Sequence, residues 1–234
     1  MKTPGAILFD LGDTVLHDIG YEPEKGNYQL FSSIQNKREI QYEAIIKYVK
    51  KLNSDILPRI NSSFIEFSWI SFSRLLYENF RLELPCTYEK AEKKFWKLSI
   101  HMEPAPRISE TLEYLQKRNI PTGVVSNSAF SGKILEEELE KHGLWKYFKF
   151  LISSADYGLR KPHPFLFELA ASKMAFLPED IWFIGNDVQC DVEGSRRAGM
   201  IPFHYIGKTG KSELPGEQTI KSWDELISRI ELTD

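Results

Sequence analysis

Ala6-Ile7-Leu8-Phe9-Asp10-Leu11-Gly12-Asp13-Thr14 is the stretch that decides the fold. Four consecutive apolar residues are too few for a helix face, but they suffice for a short strand buried on both sides, the kind found inside parallel sheets. The strand runs straight into Asp10, so a loop carrying acids follows a buried strand. In an open α/β sheet that position lies at the carboxyl edge, where ligands bind.

Working outward, the pattern changes between residues 17 and 100, where no comparable strand run occurs and helical spacing dominates. Ile40, Ala44, Tyr48 and Leu52 recur every four residues, and Ile65, Trp69, Phe72, Leu76 and Phe80 share one helical face. Ser63-x-x-Glu66 has the spacing of a capping box, and Pro85 precedes a further predicted helix, Tyr88 to Ser99. The stripe of Ile65, Trp69 and Phe72 reads as the core of a small helical domain rather than as a substrate pocket. After Pro104 and Pro106, strands and helices alternate. Helices are predicted at 108–118, 134–141 and 164–174, with a short one ending at Gly199; strands are predicted at 122–125, 150–152, 181–184 and 201–206. Ser222-x-x-Glu225 then opens a terminal helix. Alternating βα units imply a parallel sheet with helices on both faces. The expected fold is α/β: a Rossmann-like core of residues 1–16 and 101–234, with an α-helical cap domain, 17–100, inserted after the first strand.

Composition bounds the function. The chain has 234 residues, 42% hydrophobic and 27% charged, with a formal net charge of -3. That balance is ordinary for a globular protein and provides no basic field for nucleic acid. No apolar run approaches the length of a membrane span. Cys86 and Cys190 stand far apart, with no CxxC or His-rich companion, so free thiols in a reducing cytosol are expected. The five histidines show no ligand spacing.

Four polar clusters each follow a predicted strand: residues 10–14, Ser126-Asn127, Lys161 with its neighbours, and Asn186-Asp187 with Asp191. The parallel sheet would gather them at one edge, an assortment suited to phosphoryl transfer: a nucleophile, oxygen ligands for a hard cation, and positive charge for phosphate oxygens. Phe-Asp-Leu-Gly-Asp-Thr-Val-Leu at 9–16, Val-Val-Ser-Asn at 124–127, Gly-Leu-Arg-Lys-Pro-His-Pro at 158–164 and Ile-Gly-Asn-Asp-Val-Gln-Cys-Asp-Val-Glu-Gly at 184–194 resemble the four motifs of the haloacid dehalogenase superfamily, in order. The place of the helical insertion is similar to that of the family's helical cap class.

The resemblance implies a Mg²⁺-dependent phosphatase acting on a small phosphorylated substrate. Asp10 would be the nucleophile that forms an aspartyl-phosphate. Ser126 and the backbone amide of Asn127 would hold phosphate oxygens, and Lys161 would neutralise the carboxylates and the phosphoryl group. Asp10, the Gly12 carbonyl and Asp187 would bind Mg²⁺, with Thr14, Asn186 and Asp191 in support. The chain departs from the family at Gly12, where its phosphatases usually carry a second aspartate that serves as general acid and base. Asp13, one residue later, reads as a turn residue, with catalysis the alternative. Two rivals stay open: a metal-free 2-haloacid dehalogenase, and a protein that binds a phosphorylated ligand or a partner without turnover.

Overall fold

The computed structural model describes residues 2–211 and 218–233. At its centre β1 (Ala6–Phe9) is wholly buried. Successive side chains of a strand point to opposite faces. Ile7 and Phe9 accordingly pack with Leu112, Leu115 and Leu226, while Ala6 and Leu8 pack with Leu166, Phe167 and Ala170 on the other side. Each such buried side chain contributes about 1.5–3 kcal/mol, so this double-sided strand anchors both layers.

The chain then runs through β2 (Leu16–Tyr21), α1 (Pro23–Ser33), α2 (Tyr42–Ser63), α3 (Trp69–Asn79), α4 (Tyr88–Ser99) and β3 (Ile100–Pro104). It returns to the sheet with α5 (Ile108–Lys117), β4 (Thr122–Ser126), α6 (Gly132–Lys141), β5 (Phe148–Ser153), the single turn α7 (Ser154–Tyr157), α8 (Pro164–Met174) and β6 (Ile181–Gly185). A π-helical turn (Val188–Glu193) leads into α9 (Gly194–Arg197), β7 (Ile201–Tyr205), β8 (Thr219–Ile220) and α10 (Trp223–Glu231). The main sheet has the order β5-β4-β1-β6-β7-β8, and every pairing in it is parallel. From β1 the chain moves outward through β4 and β5, then crosses back to β6 and continues the other way. The strand order therefore reverses beside β1, which places a crevice at the carboxyl ends of β1, β4 and β6.

Three local expectations are corrected. A two-stranded antiparallel ribbon, β2 with β3, flanks the helical segment where no strand was expected. In β2 only Leu16 and His17 are buried and the register shifts between Asp18 and Gly20, while β3 alternates between half-buried and exposed residues over only five positions, a signal too short to stand out beside the helical spacing. Ser63 and Glu66 do not form a capping box: Ser63 ends α2, and Ser68 caps α3 by accepting from Ser71 N at 3.1 Å. Ile40 and Ile65 lie outside the helices whose spacing they share. The terminal helix does begin as its spacing predicts, with Ser222 Oγ accepting from Glu225 N at 3.2 Å.

The helical segment has its own core, around Leu30, Ile45, Leu76, Tyr77 and Phe95. It meets the sheet domain along a bonded seam. Trp69 N donates to Ala129 O at 2.7 Å, Glu66 N to Gly158 O at 3.0 Å, and Arg160 N to Phe64 O at 3.0 Å. Phe130, from the loop after β4, inserts its ring among Trp69, Phe95 and Trp96, with centroids 6.4, 6.0 and 4.9 Å away. Among the described residues no helix is long and apolar enough to cross a membrane.

Candidate active site

Asp10 follows β1, and its position is fixed by Asp10 N donating to Ile184 O at 2.8 Å, a continuation of the β1–β6 ladder. Lys161 is 1% exposed and places its ammonium 2.6 Å from Asp10 Oδ1 and 2.6 Å from Asp191 Oδ1. A buried lysine between two buried carboxylates leaves one negative charge in excess, a poor arrangement unless something cationic or proton-bearing joins it. Burial raises the Asp10 pKa to about 6; Lys161 opposes the rise and Asp191 adds to it. For Lys161, burial works to lower the pKa, but the Asp10 and Asp191 carboxylates outweigh it and hold the ammonium above its ordinary range.

The loop bearing Lys161 is clamped to the β4 loop by one side chain. Asn127 Oδ1 accepts from Lys161 N at 2.7 Å, and Asn127 Nδ2 donates to Lys161 O at 2.9 Å. Ser126, at the end of β4, is 5% exposed and lines the same cavity as Asp10, Asn127 and Lys161. That cavity has a volume of 290 Å³, and Gly12, Asn186, Asp187 and Asp191 also border it.

After β6 the acids divide their tasks. Asp191 Oδ2 accepts from Asp187 N at 3.0 Å, and Asp187 Oδ1 accepts from Cys190 N at 2.7 Å, which caps the π-helical turn. Asn186 faces Asp10. One terminal atom of its amide lies 3.2 Å from Gly12 O and 3.3 Å from Asp10 Oδ2. Thr14 Oγ1 donates to Asp10 Oδ2 at 3.3 Å, and His204 Nε2 donates to Asn186 O at 3.0 Å, which steadies the group from both sides.

The family model for haloacid dehalogenase-like hydrolases matches residues 7–203. The chain belongs to this family. The hydrolase is 22% identical to a glyceraldehyde 3-phosphate phosphatase of Methanocaldococcus jannaschii, over 96% of each chain. Other curated matches, at 29% identity, span only 42% and 50% of the relatives' own lengths. Among solved structures it shares its fold with an HAD phosphatase of Thermococcus onnurineus (TM-score 0.65, 22% identity, 98% of each chain). A 2-haloacid dehalogenase of Pseudomonas syringae gives a TM-score of 0.66 at 18% identity, over 100% of each chain.

The hydrolase thus brings Asp10, Gly12, Thr14, Ser126, Asn127, Lys161, Asn186, Asp187 and Asp191 to one place, and leaves Asp13 out. Asp13 sits at φ 56°, accepts from Asp18 N at 3.0 Å and pairs with Lys208. Cys190 is no nucleophile: burial and the neighbouring Asp187 and Asp191 push its thiol pKa up to about 11. Sequence spacing missed Arg160 and Glu66. Arg160 borders the catalytic cavity, and its guanidinium lies 3.7 Å from Glu66 Oε2. Glu66, 8% exposed, also accepts from Ser154 Oγ at 2.7 Å. In the sequence the arginine was only a neighbour of Lys161, and the glutamate stood as one half of a capping box with Ser63.

Among the described residues no cluster of three or more His, Cys, Asp or Glu could hold a metal. The atoms facing one another at Asp10, Gly12 and Asn186 are a different set: a carboxylate, a peptide carbonyl and an amide. If the amide presents nitrogen, it donates to both oxygens; if it presents oxygen, three oxygens face one another. Adjacent ligands of an octahedral ion at 2.0–2.1 Å stand roughly 2.9 Å apart, so separations of 3.2 and 3.3 Å are close to a magnesium cradle. With the Asn186 amide oxygen turned inward, the residues fit the ion.

Proposed function

We propose that this hydrolase is a magnesium-dependent phosphatase acting through an aspartyl-phosphate on Asp10. The observation that carries the reading is the convergence on one carboxylate of Lys161 at Oδ1 and, at Oδ2, of the Asn186 amide, which also meets the Gly12 carbonyl. A dehalogenase needs no such cradle. The protein ligands would be Asp10, the Gly12 carbonyl and Asn186, with Asp191 and Asp187 ordering the loop behind them. This moves the third ligand from Asp187 to Asn186. When bound, the ion supplies positive charge against the phosphoryl oxygens in the transition state.

At neutral pH Asp10, with its pKa of about 6, is largely ionised and able to attack phosphorus. Ser126 and the amide of Asn127 would bind phosphoryl oxygens, and Lys161 would balance the charge shared by phosphate, Asp10 and Asp191. Water then attacks the aspartyl-phosphate and returns Asp10 as a carboxylate. Residues 17–100 would serve as the cap that excludes bulk water and selects the substrate. The glyceraldehyde 3-phosphate phosphatase relative supports a phosphorylated small molecule as substrate. The two free cysteines fit a reducing cytosol.

The test is hydrolysis of acetyl phosphate and p-nitrophenyl phosphate with and without Mg²⁺, for wild type and Asp10→Asn. Magnesium-dependent release of phosphate that vanishes in Asp10→Asn is the expected result. Turnover of 2-haloacids without metal, with both phosphates untouched, would replace it with dehalogenase chemistry.

A further inference from the structure

We infer that the apolar chamber beside the catalytic cavity seats the substrate's leaving group, and that this group is a bulky aromatic one, making the substrate an aryl phosphate. The inference rests on the phosphatase reading above and names its substrate class. The chamber has a volume of 440 Å³ and shares Asn127, Ser128 and Arg160 with the catalytic cavity, so the two adjoin at the phosphate end. Its size is that of a small-molecule site. Trp69, Phe72, Phe95 and Phe130 line it, with Val49 and Ile56 from α2 opposite. Polar residues also border it, with Glu24, Asn27, Lys50 and Asn53 on the cap side and Glu66 and Arg160 toward the catalytic cavity, but most of its exposed surface is apolar. Trp69 and Phe95 are already buried, but Phe72 and Phe130 are half-buried, and a ring system would cover surface that a small polar ester would leave against water.

A second observation, independent of the walls, points the same way. Gly12 has no side chain to protonate a leaving oxygen, and Asp13 is held by Lys208. A phenol, with a pKa of about 10 like tyrosine, departs as its anion far more readily than an alcohol whose acidity is nearer that of water, about 15.7. In the step, an Asp10 oxygen bonds to phosphorus while the bond from phosphorus to the aryl oxygen breaks. The electron pair leaves on the phenolate, which takes a proton from water. Water next attacks phosphorus, the bond to Asp10 breaks, and the products are phosphate and the phenol.

The experiment compares 1-naphthyl phosphate, phenyl phosphate and acetyl phosphate with the wild type in Mg²⁺, and repeats the series with Val49→Trp, which fills the chamber. The two aryl esters have leaving groups of similar acidity, so their ratio reports the walls. We expect kcat/KM for the naphthyl ester to exceed that for the phenyl ester by at least about tenfold. Val49→Trp should erase the preference, bringing kcat/KM for the naphthyl ester down to that for the phenyl ester. Equal rates for the two aryl esters in wild type, with acetyl phosphate turned over, would overturn the inference and leave the phosphatase reading intact. No turnover of any of the three would remove the phosphatase reading and the inference with it. If Val49→Trp does not fold, competitive inhibition of the wild type by free 1-naphthol supports the chamber, and its absence refutes it.

Discussion

Lys208 holds the carboxylate of Asp13, and the same ammonium donates to Asp18 O at 2.7 Å. The acid closest in sequence to Asp10 is therefore committed to pinning the first turn against the segment after β7, and it does not line the cavity beside Asp10. Asp13→Asn should leave magnesium-dependent turnover unchanged. Because both side chains of the pair are about one-third exposed, urea denaturation should show a stability loss of no more than about 1 kcal/mol. A fall in kcat of about 10²-fold, the scale of a lost general acid, would instead make Asp13 catalytic.

A Cβ added at Gly12 meets no atom within 4 Å, and the backbone there is not left-handed, so an aspartate fits without strain. Gly12→Asp should raise turnover of alkyl phosphates by about 10²–10⁴-fold, with a smaller gain on acetyl phosphate, whose leaving carboxylate needs no proton. Phosphate release across the two substrates checks this. Equal gains on both would show that proton delivery is not what limits the wild type.

The proposed cation cradle has one carboxylate, and an acid at position 186 would give it two. Asn186→Asp is expected to tighten Mg²⁺ binding by at least about tenfold at pH 7.5, and Asn186→Ala to weaken it, both read by calorimetry. If Asp187→Asn abolished binding while Asn186→Ala did not, the ion would belong beside Asp187.

The raised pKa of Asp10 makes stability depend on pH in the metal-free protein. An acid raised from 3.8 to about 6 favours folding fully below pH 3.8 and loses that contribution as the pH climbs through 6. Relative to Asp10→Asn, which does not titrate at that position, metal-free wild type should gain about 2 kcal/mol between pH 7 and pH 4. Urea titrations of the pair at both pH values measure the difference. A constant gap would mean that Lys161 keeps Asp10 ionised throughout.

Much of the molecule was legible in advance because its signals are local. The four-residue apolar run at β1, the alternation after Pro104 and the Ser222 cap each depend on neighbours in sequence, and each corresponds to an observed element. The strands β2 and β3 were not read in advance. They lie about eighty residues apart and form a ribbon only by pairing with each other; β2 buries only Leu16 and His17, and the alternation of β3 runs for just five residues. Ser63 and Glu66 illustrate the opposite failure, a correct spacing without the helix it would cap. Glu66 is held instead by Ser154 and Gly158, partners about ninety residues away.

By itself, the sequence determined that a parallel α/β sheet would carry Asp10, Ser126, Asn127, Lys161 and the 186–191 loop at its carboxyl edge, because hydrophobic period and strand-end position follow from adjacent residues. Only the tertiary structure decided which acid faces which partner. Lys161 binds Asp191 as well as Asp10, Asn186 meets Asp10 while Asp187 turns to cap its own loop, and Lys208 removes Asp13. These choices rest on distances of 2.5–3.3 Å, most of them between groups far apart in the chain, and no spacing along the chain encodes a distance across it.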